Sequence, residues 1–581
     1  MVSRRERTRE ARTLRAVLAA LAATLLAAGC ASVPDGGPAH AVRQVPPGTF
    51  EEDIGVRSQP NLPQPDDSPA NIVRGYLAAA KSSTDRHGIA RDFLTPQASA
   101  RWDDATAVRV ISVNQVTPDK TGHRVVLTGR YLGSVDRTDG SYRVDGRVLR
   151  ITFRLEQVDG QWRIDNPPQG VLLPQSDFAQ VYRPVDLYFL APDGHTVVPD
   201  RRYLDVTQAA LSTTMVNLLL SGPSRWLAPG VRTAFPQGTQ TRSNVVSDGD
   251  VLVVDLTQQA AAASPQARSQ MAAQLTWTLS GFGAKAIRLL IEGRPLPVRH
   301  GSDVLPRNGY RSFDPSQLSS RAAGFYLDRR GVLRTLNRAA VIGPHNRPEN
   351  GLRSAALSPD LSQIAGVRAA PGGGEELTVG PVRGQQPPRY TAGTLTQPSW
   401  GAGSDAVFVV ADGDRVLTVL PDGSVRHVAA DGLTAHGAVR ALRVSRDGVR
   451  VAVVAGSGAH SALLVGVLHE KGSKWSITGL RAIAGDLSDI RDVAWADASS
   501  LLVLARSGTA GVLPWQVDVD GATETAGSVS GLPRAPTEVA AAPDHPDLVA
   551  AGGRIFQRAG SSWAPAGSAG PLTGTAPFYP G

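Results

Sequence analysis

The chain has 581 residues, a formal charge of +8 from 60 Lys and Arg against 52 Asp and Glu, and a single cysteine, Cys30. That length can supply several hydrophobic cores, one cysteine excludes an internal disulfide, and a small dispersed positive surplus does not imply a nucleic-acid binder. Stability must come from packing alone.

The first thirty residues read in three parts. Arg4, Arg5, Arg7, Arg9, Arg12 and Arg15 form a basic start, residues 16–28 are apolar, and the run Leu25-Leu26-Ala27-Ala28-Gly29-Cys30 ends on the cysteine. Thirteen residues rise only about 20 Å as a helix, short of the roughly 30 Å hydrocarbon core of a bilayer. The pattern resembles a bacterial lipoprotein signal with its lipobox, in which the cysteine is diacylated and becomes the new N terminus. A signal peptide over residues 1–29 and lipidation of Cys30 are therefore expected. The position three before the cysteine, where leucine is commonest, holds Ala27, with Leu26 one place earlier. An ordinary secretory signal with an incidental cysteine, or an uncleaved anchor, is the alternative. Cleavage removes six arginines with Glu6 and Glu10, so about half of the formal charge leaves with the leader. No later stretch approaches 18 consecutive apolar residues.

Residues 30–69 carry the lipidated Cys30 and a polar segment with Pro46, Pro47, Pro60, Pro63, Pro65 and Pro69, a composition that cannot bury enough surface to offset ordering entropy. It is expected to be a flexible tether. Residues 70–175 are predicted as an α+β domain. Ser68-Pro69 opens a helix with Ile72, Val73, Tyr76, Leu77 and Ala80 at helical spacing, and a short second helix lies near residues 90–94. Strands follow at 108–113, 124–132, 147–157 and 161–164, the last two joined by Asp159-Gly160 in a type I′ turn. Helices before a curled antiparallel sheet are similar to the NTF2-like cone, which can be a packed adaptor or a ligand cavity. No His/Asp pair stands out in it.

Residues 183–300 are predicted as an α/β domain. The segment contains a strand at 185–190, a turn at Asp193-Gly194 into 196–198, and a helix with Leu211, Met215, Leu218 and Leu219 on one face that stops at Gly222-Pro223. A strand at 251–256, a helix opened by Ser264-Pro265 with Met271, Leu275 and Leu279 in line, and a strand at 286–292 complete it. The run Leu218-Leu219-Leu220-Ser221-Gly222-Pro223 and the segment Phe235-Pro236-Gln237-Gly238-Thr239 resemble the GerMN domain, which implies an extracytoplasmic interaction module without catalytic residues.

From 320 to 575 the chain turns to short β runs. A weak element recurs at Ser358, Trp400, Ser445, Trp495 and Ala542, at intervals of 42, 45, 50 and 47 residues, each before an apolar strand. One four-stranded blade has about that length, so an all-β propeller of five or six blades is predicted, with a pair of β-sandwiches as the alternative. The chemical inventory is thin. The 11 histidines show no metal-binding spacing. Asp518-x-Asp520-Gly521 has the first residues of a calcium loop without its twelfth-position glutamate, and is expected to be a hairpin turn. There is no G-x-S-x-G elbow, P-loop or dinucleotide fingerprint.

The order of lipobox, tether, α+β domain, GerMN-like domain and propeller resembles the LpqB lipoproteins of actinobacteria. Cys30-Ala31-Ser32-Val33-Pro34 and the run Ala90-Arg91-Asp92-Phe93-Leu94-Thr95 with Trp102 share the likeness. The resemblance implies a noncatalytic accessory, lipid-anchored on the extracytoplasmic face of the cell membrane, that touches the extracellular part of a sensor kinase of the MtrA/MtrB type governing cell-wall growth and division. It implies no nucleic-acid partner, no cofactor, no metal and no catalytic residue. The alternative is a cell-wall-active hydrolase or glycan binder built on the propeller.

Overall fold

The computed structural model describes residues 61–581, apart from 206–210, 281–284, 297, 299–302, 319–322, 340, 342, 349–350 and 568–569. The leader, Cys30 and the tether as far as residue 60 lie outside the described residues.

The first helix, α1 (Pro69–Ala79), begins where Ser68 accepts a hydrogen bond from the Asn71 N–H at 3.3 Å and Pro69 occupies the first turn. Two short helices follow, α2 (Gly88–Arg91) and α3 (Pro96–Arg101), the second capped by Thr95. The sheet runs in the order Gln161–Ile164, Val148–Val158, Arg124–Val135, Val108–Pro118, Val171–Pro174. Asp159 and Gly160 both take positive φ in the turn, as type I′ requires. Val171–Pro174, which sequence periodicity did not predict, pairs in parallel with Val108–Pro118. Four residues, Val-Leu-Leu-Pro, are too few to show alternation. Tyr76, Phe93, Trp102 and Phe153 fill the inside of the curl, with the Tyr76 ring edge-on to Trp102 at 5.7 Å and to Phe153 at 6.2 Å. This domain is a packed body.

The middle domain is built on a parallel pair, Val251–Leu256 beside Ala286–Ile291, joined by the crossover helix Pro265–Leu279. Gly222, in the left-handed region at φ +101, ends the helix Leu211–Ser221. In Pro265–Leu279 every residue from Gln270 to Leu279 is buried, not one stripe alone. Most of its polar members are paired, Thr276 Oγ1 having no partner among the described residues. Gln274 donates to the Tyr188 carbonyl and accepts from the Ala234 N–H, Gln270 donates to the Gly194 carbonyl, and Thr278 accepts from the Tyr188 N–H. The hairpin Tyr182–Leu190 and Val197–Asp205 lies against this helix. Its second strand extends seven residues past the predicted 196–198. The added residues, Pro199-Asp200-Arg201-Arg202-Tyr203-Leu204-Asp205, include four charged side chains and are almost wholly buried, so they carry no alternating signal.

The all-β region is a propeller of six blades. Four blades are consecutive in the chain from Leu352 to Ala526, and a fifth spans residues 538–565. The remaining blade takes its innermost strand, Thr575–Phe578, from the end of the domain and its outer strands, Phe325–Leu327 and Leu333–Thr335, from the beginning. The innermost strands touch in turn around the ring and return to the first. The second and third consecutive blades also join at their outer edges, where Val425–Ala430 pairs in parallel with Lys474–Ile483. The recurring element falls where each inner strand turns to the next. Ser358 donates to Asp360 at 2.6 Å and accepts from the Gln363 N–H, and Ser445 does the same with Asp447 and Arg450. No helix among the described residues is long and apolar enough to cross a membrane.

Candidate functional site: the three-domain junction

The polar strand segment 199–205 lies where all three domains meet. The Arg202 side chain is fully buried and donates to the Asp139 carbonyl and the Asp200 carboxylate, each at 2.6 Å. Asp200 also accepts from the Ser224 N–H and hydroxyl, at 2.6 and 2.9 Å. Arg202 therefore ties the first domain to the second. Arg201 turns the other way, toward Asp186 at 3.0 Å within its own domain and Asp518 of the propeller at 3.1 Å. Burial opposes its charge, but the two carboxylates outweigh that and hold its pKa well above the usual arginine value. Ser499 adds a hydrogen bond from the propeller to Asp186. Leu227, Val198 and Ala191 pack on Val449 and Val467 as an apolar seam beside these polar ties.

Asp518-x-Asp520-Gly521 forms a turn at this junction. The Asp518 carboxylate goes to Arg201, and Asp520 Oδ1 accepts from the Ala522 N–H. Gly521 sits at φ +77, where a Cβ would come within 2.5 Å of Val144 in the first domain and 3.0 Å of Ile483. Both the backbone and the close approach require glycine. Gly521→Ala is expected to destabilise by about 2–4 kcal/mol, combining the left-handed penalty with overpacking. Urea unfolding checks this, and an unchanged midpoint would mean the turn does not press on the first domain.

Between these contacts lies a cleft of about 240 Å³ lined by residues of all three domains. The propeller's central channel is smaller, about 50 Å³. With a liquid water taking roughly 30 Å³, that channel has room for one or two waters. Polar groups lining it or beside it hold the blades together. Gln397 donates to the Ala355 carbonyl and accepts from Arg443 at 2.6 Å. Asp492 accepts from Arg443 and from the Val539 N–H, both at 3.0 Å, and Glu538 accepts from the Ala576 N–H. Trp400 and Trp495 donate to carbonyls of the preceding inner strand. Burial pushes the Arg446 guanidinium in this channel down to about 10.

The structure corrects one expectation in the first domain, where no His/Asp pair stood out. His87 and Asp104 meet at 2.9 Å, both almost wholly buried. Arg91 also donates to Asp104, at 2.8 Å, and its guanidinium lies 5.0 Å from the centre of the Trp102 ring. Sequence could not pair residues 17 apart across an irregular turn in which Asp85, Arg86 and His87 all have positive φ. Burial holds the His87 pKa below the usual imidazole value despite the hydrogen bond to Asp104, so it donates through Nδ1 as a neutral ring. Because the unfolded histidine takes its proton near 6.5 and the folded one resists it, stability is expected to fall as pH drops below about 6.5. Unfolding midpoints between pH 8 and 5 check this, and His87→Gln should flatten the curve. Among the described residues no group of His, Cys, Asp and Glu could hold a metal ion.

Residues 332–580 match the family model described as lipoprotein LpqB beta-propeller domain, and residues 62–179 match the LpqB N-terminal domain. A protein named Lipoprotein LpqB from Nocardia farcinica is 32% identical over 525 residues, covering 84% of this chain and 85% of its own. The chain belongs to the LpqB lipoprotein family. An LpqB relative from Streptomyces coelicolor is 31% identical over 98% of both chains, and one from Rhodococcus opacus is 30% identical over 86% of both. Residues 186–297 match a further model, described as sporulation and spore germination. This is the expected GerMN-like segment. In LpqB terms the junction is where the N-terminal domain, this middle domain and the propeller meet. The run Ala90 to Thr95 with Trp102 is the frame around Arg91.

Proposed function

We propose that this LpqB-family lipoprotein is a noncatalytic accessory of a sensor kinase of the MtrB type, held on the extracytoplasmic face of the membrane by a diacylated Cys30. The observation that carries the reading is the junction. Buried arginines and an apolar seam join the three domains, and a rigid multidomain surface suits a partner that recognises shape. The tight propeller channel, with its carboxylates and arginine used between blades, favours this over a glycan-processing channel. The segment between Cys30 and the first helix, roughly 40 residues, would set the effective concentration of the folded part at the kinase.

Regulation by binding requires unequal affinity for two kinase states. The direct test is pull-down of residues 31–581 with the extracellular domains of candidate sensor kinases, followed by kinase output with and without the lipoprotein. Strong shortening of the tether, with Cys30 and every folded domain intact, is expected to weaken signalling, while Glu538→Gln beside the channel leaves it in place. If Glu538→Gln abolished function with fold and partner binding unchanged, the hydrolase reading would replace this one.

A further inference from the structure

The cleft at the junction has a composition that its structural role does not explain. Arg143 comes from the first domain, Arg225 from the second and Arg481 from the propeller, and all three line it. Among the described residues none of the three has an ion-pair or hydrogen-bond partner for its guanidinium, whereas Arg201 and Arg450 in the same wall are each paired with aspartate. Arg481 is fixed in place, lying 4.1 Å from the centre of the Trp226 ring, and Trp226 is itself held by a 2.8 Å hydrogen bond to the Gly479 carbonyl. A guanidinium stacked on an aromatic ring keeps its N–H edge free for an acceptor. Asp136, Asp139, Asp200 and Asp520 share the lining and offset much of this charge, but none of them is bonded to the three guanidiniums, whose N–H groups a bound anion would satisfy.

A second group points to what else the ligand carries. Asp520 is only 7% exposed and lines the cleft, and its Oδ2 has no hydrogen-bond partner among the described residues. A buried carboxylate oxygen without a donor is costly, and it repels a bare anion. A ligand that suits both features presents a negative group to the arginines and a hydroxyl to Asp520. The volume, about 240 Å³, equals that of roughly eight waters.

We propose that the three-domain cleft is a binding site for a small anionic polyol, a sugar bearing a carboxylate or a phosphate. Its arginines converge on the charge, the Asp520 carboxylate accepts a hydroxyl, and all three domains contribute to one occupant.

Calorimetric titration of the full chain in detergent, with glucuronate, glucose 6-phosphate, glucose and inorganic phosphate as separate probes, tests the site. At least one of the two charged sugars is expected to bind saturably and about tenfold or more tighter than glucose or inorganic phosphate, the gain of one charge-assisted contact. Which of the two binds distinguishes carboxylate from phosphate. Arg481→Gln should weaken that binding about tenfold with the thermal midpoint unchanged. Should that variant misfold, Arg225→Gln, at an exposed position, should weaken binding in the same direction. No binding of either charged sugar, equal binding of glucose, or indifference to both substitutions would overturn the proposal.

Discussion

Arg202→Ala is expected to destabilise the folded part by about 3–5 kcal/mol, the usual effect of removing one member of a buried ion pair. The side chain is fully buried, and without it Asp200 keeps its Ser224 donors but loses its ion-pair partner, while the Asp139 carbonyl loses its donor. Arg202→Lys should recover only part of this, because one ammonium cannot span the carbonyl and the carboxylate as the fork does. Urea unfolding followed by tryptophan fluorescence gives the shift. A change within about 0.5 kcal/mol, the range of ordinary surface substitutions, would show that the junction does not depend on this pair.

Cys30→Ala is expected to have the largest effect on location. Two acyl chains hold a protein firmly at a bilayer, whereas one does so only marginally. A diacylated Cys30 should therefore keep the wild type in the membrane fraction, and the variant should lose both lipid and lipoprotein-type cleavage. Mass spectrometry of the N terminus and fractionation read this directly. Identical mass and distribution for the two proteins would remove the lipid-anchor reading and with it the role proposed for the tether.

The sequence made the domain classes legible because each leaves a periodic mark. Ser68-Pro69 and Ser264-Pro265 announce helix starts, Gly222-Pro223 a stop, and the spacing from Ser358 to Ala542 a bladed ring. The junction left no such mark. Residues 199–205 look like a solvated polar loop, yet they form a buried strand because Asp139, Ser224 and Asp518 satisfy them from other parts of the chain. His87 and Asp104, within one domain, were hidden instead by the irregular turn between them. Pairing between distant polar residues depends on how domains dock, and neither propensity nor periodicity encodes that.

The way the ring closes bears on the order of folding. Phe325 pairs with Phe578 and their rings stack at 5.5 Å, so the closing blade joins segments roughly 250 residues apart, where loop-closure entropy makes contacts slow to form. Until Thr575–Phe578 is in place, the inner strands form an arc with Phe325–Leu327 as an unpaired apolar edge, the kind of edge that recruits other chains. A nascent molecule would therefore pass through an aggregation-prone open form. Truncation just before Thr575 should trap that form and shift the protein from monomer to aggregate while leaving the first two domains folded.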